Sequence, residues 1–229
     1  MPSAEPGTLI SSVLKKQIIA ITGLVLVGFI SGHLAGNMIL YLGHEAFNGY
    51  SDKLHSLGEL LWIVRAVLIA MVLVHITLAT QITFQNWGAR DSRYAVSGHK
   101  TSGEVILAKR SMIYTGLLIV CFLFLHLIDF TFADHEGPSS LLGGKGLGLY
   151  GLVWNSFLEP WRAVLYVATM CLLGLHLSHG IQSLFQSLGI NHERWTPRLK
   201  KLSNLLGLLI ALGFSSIPIY INIVRTPPL

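Results

Sequence analysis

Five runs of apolar residues, each about as long as a bilayer is thick, constrain this 229-residue chain more than any other feature. They cover about 17–42, 60–84, 111–132, 161–188 and 202–224. At about 1.5 Å per residue, each is long enough to cross a hydrocarbon core of about 30 Å. A backbone in lipid must satisfy its own hydrogen bonds, so spans of this length are helices. The strands of a membrane barrel would be about ten residues long and alternating, and no stretch reads that way. The expected architecture is one membrane domain over 1–229, all-α, an integral membrane bundle of five transmembrane helices. Composition agrees: charged residues make up 12% and the mean hydropathy is +0.61. This excludes a disordered chain and argues against an ordinary soluble enzyme, whose surface needs about twice that charge.

The charge also orients the spans. Of 16 basic residues, 11 fall on one side if the spans alternate: Lys15, Lys16, Arg90, Arg93, Lys100, Lys109, Arg110, Arg194, Arg198, Lys200 and Lys201. The positive-inside rule then puts the N-terminus in the cytoplasm and the C-terminus outside. The five tryptophans, Trp62, Trp87, Trp154, Trp161 and Trp195, sit near the expected interfaces, where an amphipathic indole is favoured. The first run is too long for a cleaved signal peptide and lacks an A-x-A site. Cys121 and Cys171 lie inside spans, in no C-x-x-C or C-x-x-C-H pattern, and read as apolar fillers. The outer loops are 43–59 and 133–160. Gly143, Gly144, Lys145, Gly146 and Gly148 resemble a phosphate loop only superficially and read as a flexible loop. No internal repeat is apparent at this level.

The histidines carry the chemistry. Five of ten lie within spans: His33, His75, His126, His176 and His179. Ionisable groups inside a membrane are costly and face the bundle interior. Counted from the outer span ends, His33 lies about 12 Å deep and His126 about 9 Å. His75 lies about 20 Å deep and His176 about 22 Å. Spans one and three thus offer an outer pair, and spans two and four an inner pair. Each pair supplies two imidazoles with no obvious carboxylate or thiolate beside them. Zinc prefers four ligands, whereas haem iron already has four porphyrin nitrogens and needs two axial ones. The reading is two haem b groups, the outer iron on His33 and His126 and the inner on His75 and His176. His179, about 27 Å deep, is mismatched with His75 and serves as an alternative or supporting residue. Gly28, Gly32 and Gly36 around His33, and Gly174 and Gly180 around His176, either admit a porphyrin or pack helices.

With these residues in place, the chain resembles the five-helix, di-haem cytochrome b subunit that anchors succinate dehydrogenase or fumarate reductase in bacterial membranes. The resemblance covers about residues 12–224. It rests on His33 ten residues before Gly43, on Val74-His75-Ile76, and on the segment His176 to Gly189, where His176 precedes Gly180 by four residues and Gly189 by 13. It implies a flavoprotein subunit, an iron–sulfur subunit docked on the basic cytoplasmic face, and electron transfer through the haems to or from membrane quinone, menaquinone or ubiquinone. Some fumarate reductases of this family carry a glutamate two residues before the fourth ligand; here that position is Gly174, which puts the corresponding proton route in doubt.

Asp129, three residues after His126, is a candidate for proton exchange with quinone, or a carboxylate reaching water. Glu59 and Arg65 are similar candidates at the outer mouth. Arg65 and Arg162 either pair with propionates or snorkel to the interface. The chain would do no carbon chemistry itself. Two rival readings are the cytochrome b subunit of another quinone-linked dehydrogenase or hydrogenase, and a haem-free transporter using the histidines as a proton relay.

Overall fold

The computed structural model of the chain describes residues 11–88 and 103–227, and of 103–110 the backbone alone. Arg90, Arg93 and Lys100 of the basic cluster lie outside the described residues, as do the side chains of Lys109 and Arg110. Seven α-helices follow in order among the described residues. They are α1 (Ser12–Met38), α2 (His44–His55), α3 (Glu59–Gly88), α4 (Gly103–His126), α5 (Gly148–Leu158), α6 (Pro160–Ser187) and α7 (Trp195–Val224). Five of them, α1, α3, α4, α6 and α7, are long and apolar enough to cross a membrane. The expected all-α bundle of five spans is what the chain forms.

The helices overrun the apolar runs where polar residues are good helix formers. The first two turns of α7 hold Arg198, Lys200 and Lys201, which hydropathy alone leaves in a loop. Straight-chain basic residues lose little freedom in a helix, so the helix continues into the polar zone. Ser11 starts α1 by accepting a hydrogen bond from the Leu14 amide at 3.2 Å. Pro160 opens α6, where its missing N–H is unneeded. After His126, α4 loosens into a single π-helical turn, Leu127–Thr131.

The two outer segments are folded rather than loops. Phe47 and Ser51 form the buried side of α2. The glycine-rich stretch is a tight hairpin, β1 (Leu141–Leu142) against β2 (Lys145–Gly146), with Leu141 opposite Gly146. Gly143 and Gly144 form its turn at φ 57° and 80°, the left-handed region a two-residue hairpin turn requires. Asn48 ties the two segments together, donating to the Leu147 carbonyl at 2.9 Å and accepting from the Tyr150 amide at 3.0 Å. Tyr150 and Trp154 of α5 are fully buried against Leu40, Phe47, Ile217 and Ile221. Trp154 therefore belongs to a core rather than to an interfacial belt, its indole donating to the Arg225 carbonyl at 3.1 Å. Burial pushes the Tyr150 phenol up to about 12, so it stays neutral at ordinary pH.

The bundle is tightest between α6 and α7. A Cβ on Gly174 would stand 2.7 Å from the Gly207 carbonyl oxygen and 2.8 Å from Cβ of Ala211. A Cβ on Gly207 would collide with the Gly174 carbonyl and the Ser178 hydroxyl. Gly174 is thus a helix-packing glycine, and no glutamate would fit in its place. By contrast α3 buries no residue completely. Gly207→Val is expected to force α6 and α7 apart and cost about 1–3 kcal/mol, the range for overpacking a close contact. Thermal unfolding in detergent measures this, with Gly49→Ala, which faces open space on α2, as a control that should be no less stable.

Candidate cofactor site between the histidine-bearing helices

His33 of α1 and His126 of α4 meet inside the bundle. Their ring centroids are 5.8 Å apart, edge to face, with 82° between the planes. The two imidazoles are thus in contact, one ring's edge against the other's face. Each ring is backed by a phenylalanine one turn earlier on its own helix: Phe29 stacks on His33 at 5.6 Å and Phe122 on His126 at 5.8 Å. The Nδ1 of His126 is buried without a hydrogen-bond partner. The Asn37 amide, which donates to the His33 carbonyl at 2.8 Å, lies 3.4 Å from both nitrogens of that ring.

His75 lies on α3 and His176 on α6, one turn before His179. Each of the inner pair is held by a threonine on a neighbouring helix. Thr22 Oγ1 is 3.0 Å from Nδ1 of His75, and Thr115 Oγ1 is 3.1 Å from Nδ1 of His176. The next residue is glycine in both cases. A Cβ on Gly23 would stand 3.4 Å from Cε1 of His75, and one on Gly116 the same distance from Cε1 of His176. The glycines let the rings lie against the helix surface. Gly28 and Gly32 face open space, Gly36 makes room for the Tyr50 ring, and Gly180 has only Met112 near it.

This correspondence exposes an internal repeat that a reading of apolar runs passes over. Thr22-Gly23-Leu24, Val27, Phe29 and His33-Leu34 recur at the same spacing as Thr115-Gly116-Leu117, Val120, Phe122 and His126-Leu127. His75, Gln81, Phe84, Gln85 and Gly88 recur as His176, Gln182, Phe185, Gln186 and Gly189. Arg65-Ala66-Val67-Leu68 recurs as Arg162-Ala163-Val164-Leu165, four residues further from its histidine. The first four spans are therefore two copies of one two-helix pattern, followed by α7. His33 matches His126 and His75 matches His176, so each pair consists of equivalent positions. His179 matches Leu78 and has no counterpart. The signal was present in the sequence; apolar substitutions between the matched residues hide it.

Asp129 does not reach for water. It sits in the π-helical turn, where it is buried. It accepts a hydrogen bond from the Tyr166 hydroxyl at 2.8 Å and lies 3.5 Å from Nη2 of Arg162. A cavity of about 360 Å³ opens here, lined by Asp129, Arg162, Ser139, Asn155, Ser156 and Leu152 among others. Arg162 also covers the Trp161 ring at 5.1 Å. Tyr166 and Phe130 both touch the His126 ring, so this group adjoins the outer histidine pair. Glu59, exposed at the start of α3, and Arg65, stacked on Trp62 at 4.9 Å, do not line the cavity.

Among the described residues no three His, Cys, Asp or Glu side chains converge as a bare ion's cage would require. The donor sets are pairs, and they suit a group that brings its own equatorial donors. Comparison with protein-family models, with curated proteins and with solved structures finds no match to this chain.

Removing the Tyr166 hydroxyl leaves a buried carboxylate oxygen without its donor. Tyr166→Phe is expected to destabilise the chain by about 1–3 kcal/mol. Unfolding of Tyr166→Phe, Asp129→Asn and the double variant checks this, since the two losses should be less than additive.

Proposed function

We propose that this chain is the di-haem cytochrome b subunit of a succinate:quinone oxidoreductase, the membrane anchor of a succinate dehydrogenase or fumarate reductase. The observation that carries the reading is the matched set of four histidines: equivalent positions of two repeated helix pairs, two rings in contact with each other and two with a threonine hydroxyl at Nδ1. His33 and His126 would hold an outer haem b, and His75 and His176 an inner one. A haem so held supplies reversible one-electron transfer. The donor set and the glycines that open space beside α1 fit such a group.

The chain's own residues would do the rest. The four imidazoles fix the two redox sites at different heights between an inner, basic end and an outer end. At the inner end, Lys16, Arg194, Arg198, Lys200 and Lys201 favour docking of an iron–sulfur subunit, which would connect to a flavoprotein subunit. At the outer end, the cavity of about 360 Å³ falls within the volume range of small-ligand sites and suits a quinone head group. Quinone reduction takes up protons with its electrons, and quinol oxidation releases them. Asp129 would accept or deliver such a proton, with Tyr166 and Arg162 fixing its two oxygens. The setting is a bacterial cytoplasmic membrane, with the N-terminus inside and the C-terminus outside.

The test is a reduced-minus-oxidised spectrum of the purified chain with haem quantified per polypeptide. Two low-spin b haems are expected. His33→Ala and His126→Ala should remove the same one, and His75→Ala and His176→Ala the other. His179→Ala should retain both. A folded chain supplied with haem that takes up none would overturn the reading and leave a proton-relay transporter as the idea to pursue. Co-purification of a flavoprotein and an iron–sulfur protein is expected; a hydrogenase or formate dehydrogenase in their place would reassign the complex.

A further inference from the structure

We propose that Thr22 and Thr115 are positioning residues of the inner site, fixing His75 and His176 in the Nδ1–H tautomer so that each ring presents a bare Nε2 to an iron. The proposal rests on the haem reading above. It begins from the single hydrogen of a hydroxyl group, which can donate once and accept twice. The Thr22 hydroxyl donates back to its own helix, with the Ile18 carbonyl at 2.9 Å and the Ile19 carbonyl at 3.1 Å. The Thr115 hydroxyl does the same, with the Ser111 carbonyl at 3.0 Å and the Met112 carbonyl at 3.1 Å. Both hydroxyls are buried. With their hydrogens committed, what they offer the imidazoles is a lone pair. The nitrogen at 3.0 Å in one case and 3.1 Å in the other must then be the one carrying hydrogen, and the His75 ring also donates to the Ile19 carbonyl beside Thr22. A neutral imidazole protonated at Nδ1 keeps its free lone pair on Nε2, the form a metal requires.

Two features make this specific. The arrangement occurs twice, at equivalent positions of the internal repeat, each time with a glycine after the threonine that brings the ring close. It also distinguishes the two sites. The outer pair has no such partner: Nδ1 of His126 is unbonded, and His33 has only the Asn37 amide at 3.4 Å. A hydrogen bond from Nδ1–H makes the opposite nitrogen a stronger donor. The threonines thus act through the histidines on the electronics of the inner site alone.

The experiment uses the full chain with Thr22→Val, Thr115→Val and, as the conservative variant, Thr22→Ser. In haem-free protein, nitrogen NMR of labelled histidines should show His75 and His176 as Nδ1–H, and each valine variant should lose that preference for its own partner. Haem titration should show affinity at the inner site falling by about 10- to 100-fold in each valine variant, with Thr22→Ser restoring it. In loaded protein, both valine variants should raise the midpoint potential of the same one of the two haems, because a weaker donor stabilises oxidised iron less. Valine variants that leave the tautomers, the affinity and the potential unchanged would overturn the proposal, as would variants that shift different haems. Wild-type protein that binds no haem would instead overturn the functional reading, while the NMR tautomers would still decide the role of the threonines.

Discussion

The absence of water in a hydrocarbon core governs this molecule. Every backbone N–H and C=O must be paired within the chain, so the spans are helices and the chemistry is confined to side chains between them. Those side chains face the same shortage of partners. Thr22 and Thr115 meet it by returning their hydrogens to carbonyls one turn back on their own helices, which leaves an acceptor for an imidazole on the next helix. A hydrogen bond between membrane helices averages about 0.6 kcal/mol. That is too little to hold a bundle together but enough to select one tautomer of a ring by several-fold, so orientation is the effect that decides its use.

Cohesion comes from elsewhere. Gly174 and Gly207 bring α6 and α7 to backbone contact, and the outer end is closed by α2, the hairpin and α5 packed around Tyr150 and Trp154. This outer cap has a core of large apolar side chains, as a water-soluble domain would. It also sets the surroundings of Asp129: Ser139, Asn155 and Ser156 of the cap region line the cavity into which the carboxylate turns. Asp129, within the π-helical turn at Leu127–Thr131, meets Tyr166 while His126, just before the turn, faces His33. Such turns recur at functional positions because they redirect one side chain without ending the helix.

The spans were legible in the sequence because hydropathy over some twenty residues is a strong signal. So was the association of His33 with His126, since depth along a helix follows from counting residues. The short elements were not. The pattern in α2 that buries Phe47 and Ser51 is brief and mostly polar, and the hairpin is two residues a side, so both look like loop. Asp129 shares the helix face of His126, so its inward direction was legible, but its partners Tyr166 and Arg162 on another helix were not. Trp154 misled because position near a span end says nothing about which way a helix outside the membrane faces. The repeat was legible but unread. Threonine and glycine are ordinary in apolar helices, and their meaning appeared only once both were found against an imidazole.

That repeat carries a structural consequence. His33 and His126, at equivalent positions of the two copies, meet ring to ring, while His75 and His176, also equivalent, each meet the equivalent threonine. The copies differ beside the first pair: Asp129 has no counterpart carboxylate, the matching residue being Gly36. Gly36 gives its space to Tyr50 instead. The repeated part thus supplies two similar pairs of imidazoles, and the unrepeated residues make the outer one different by placing a buried carboxylate beside it.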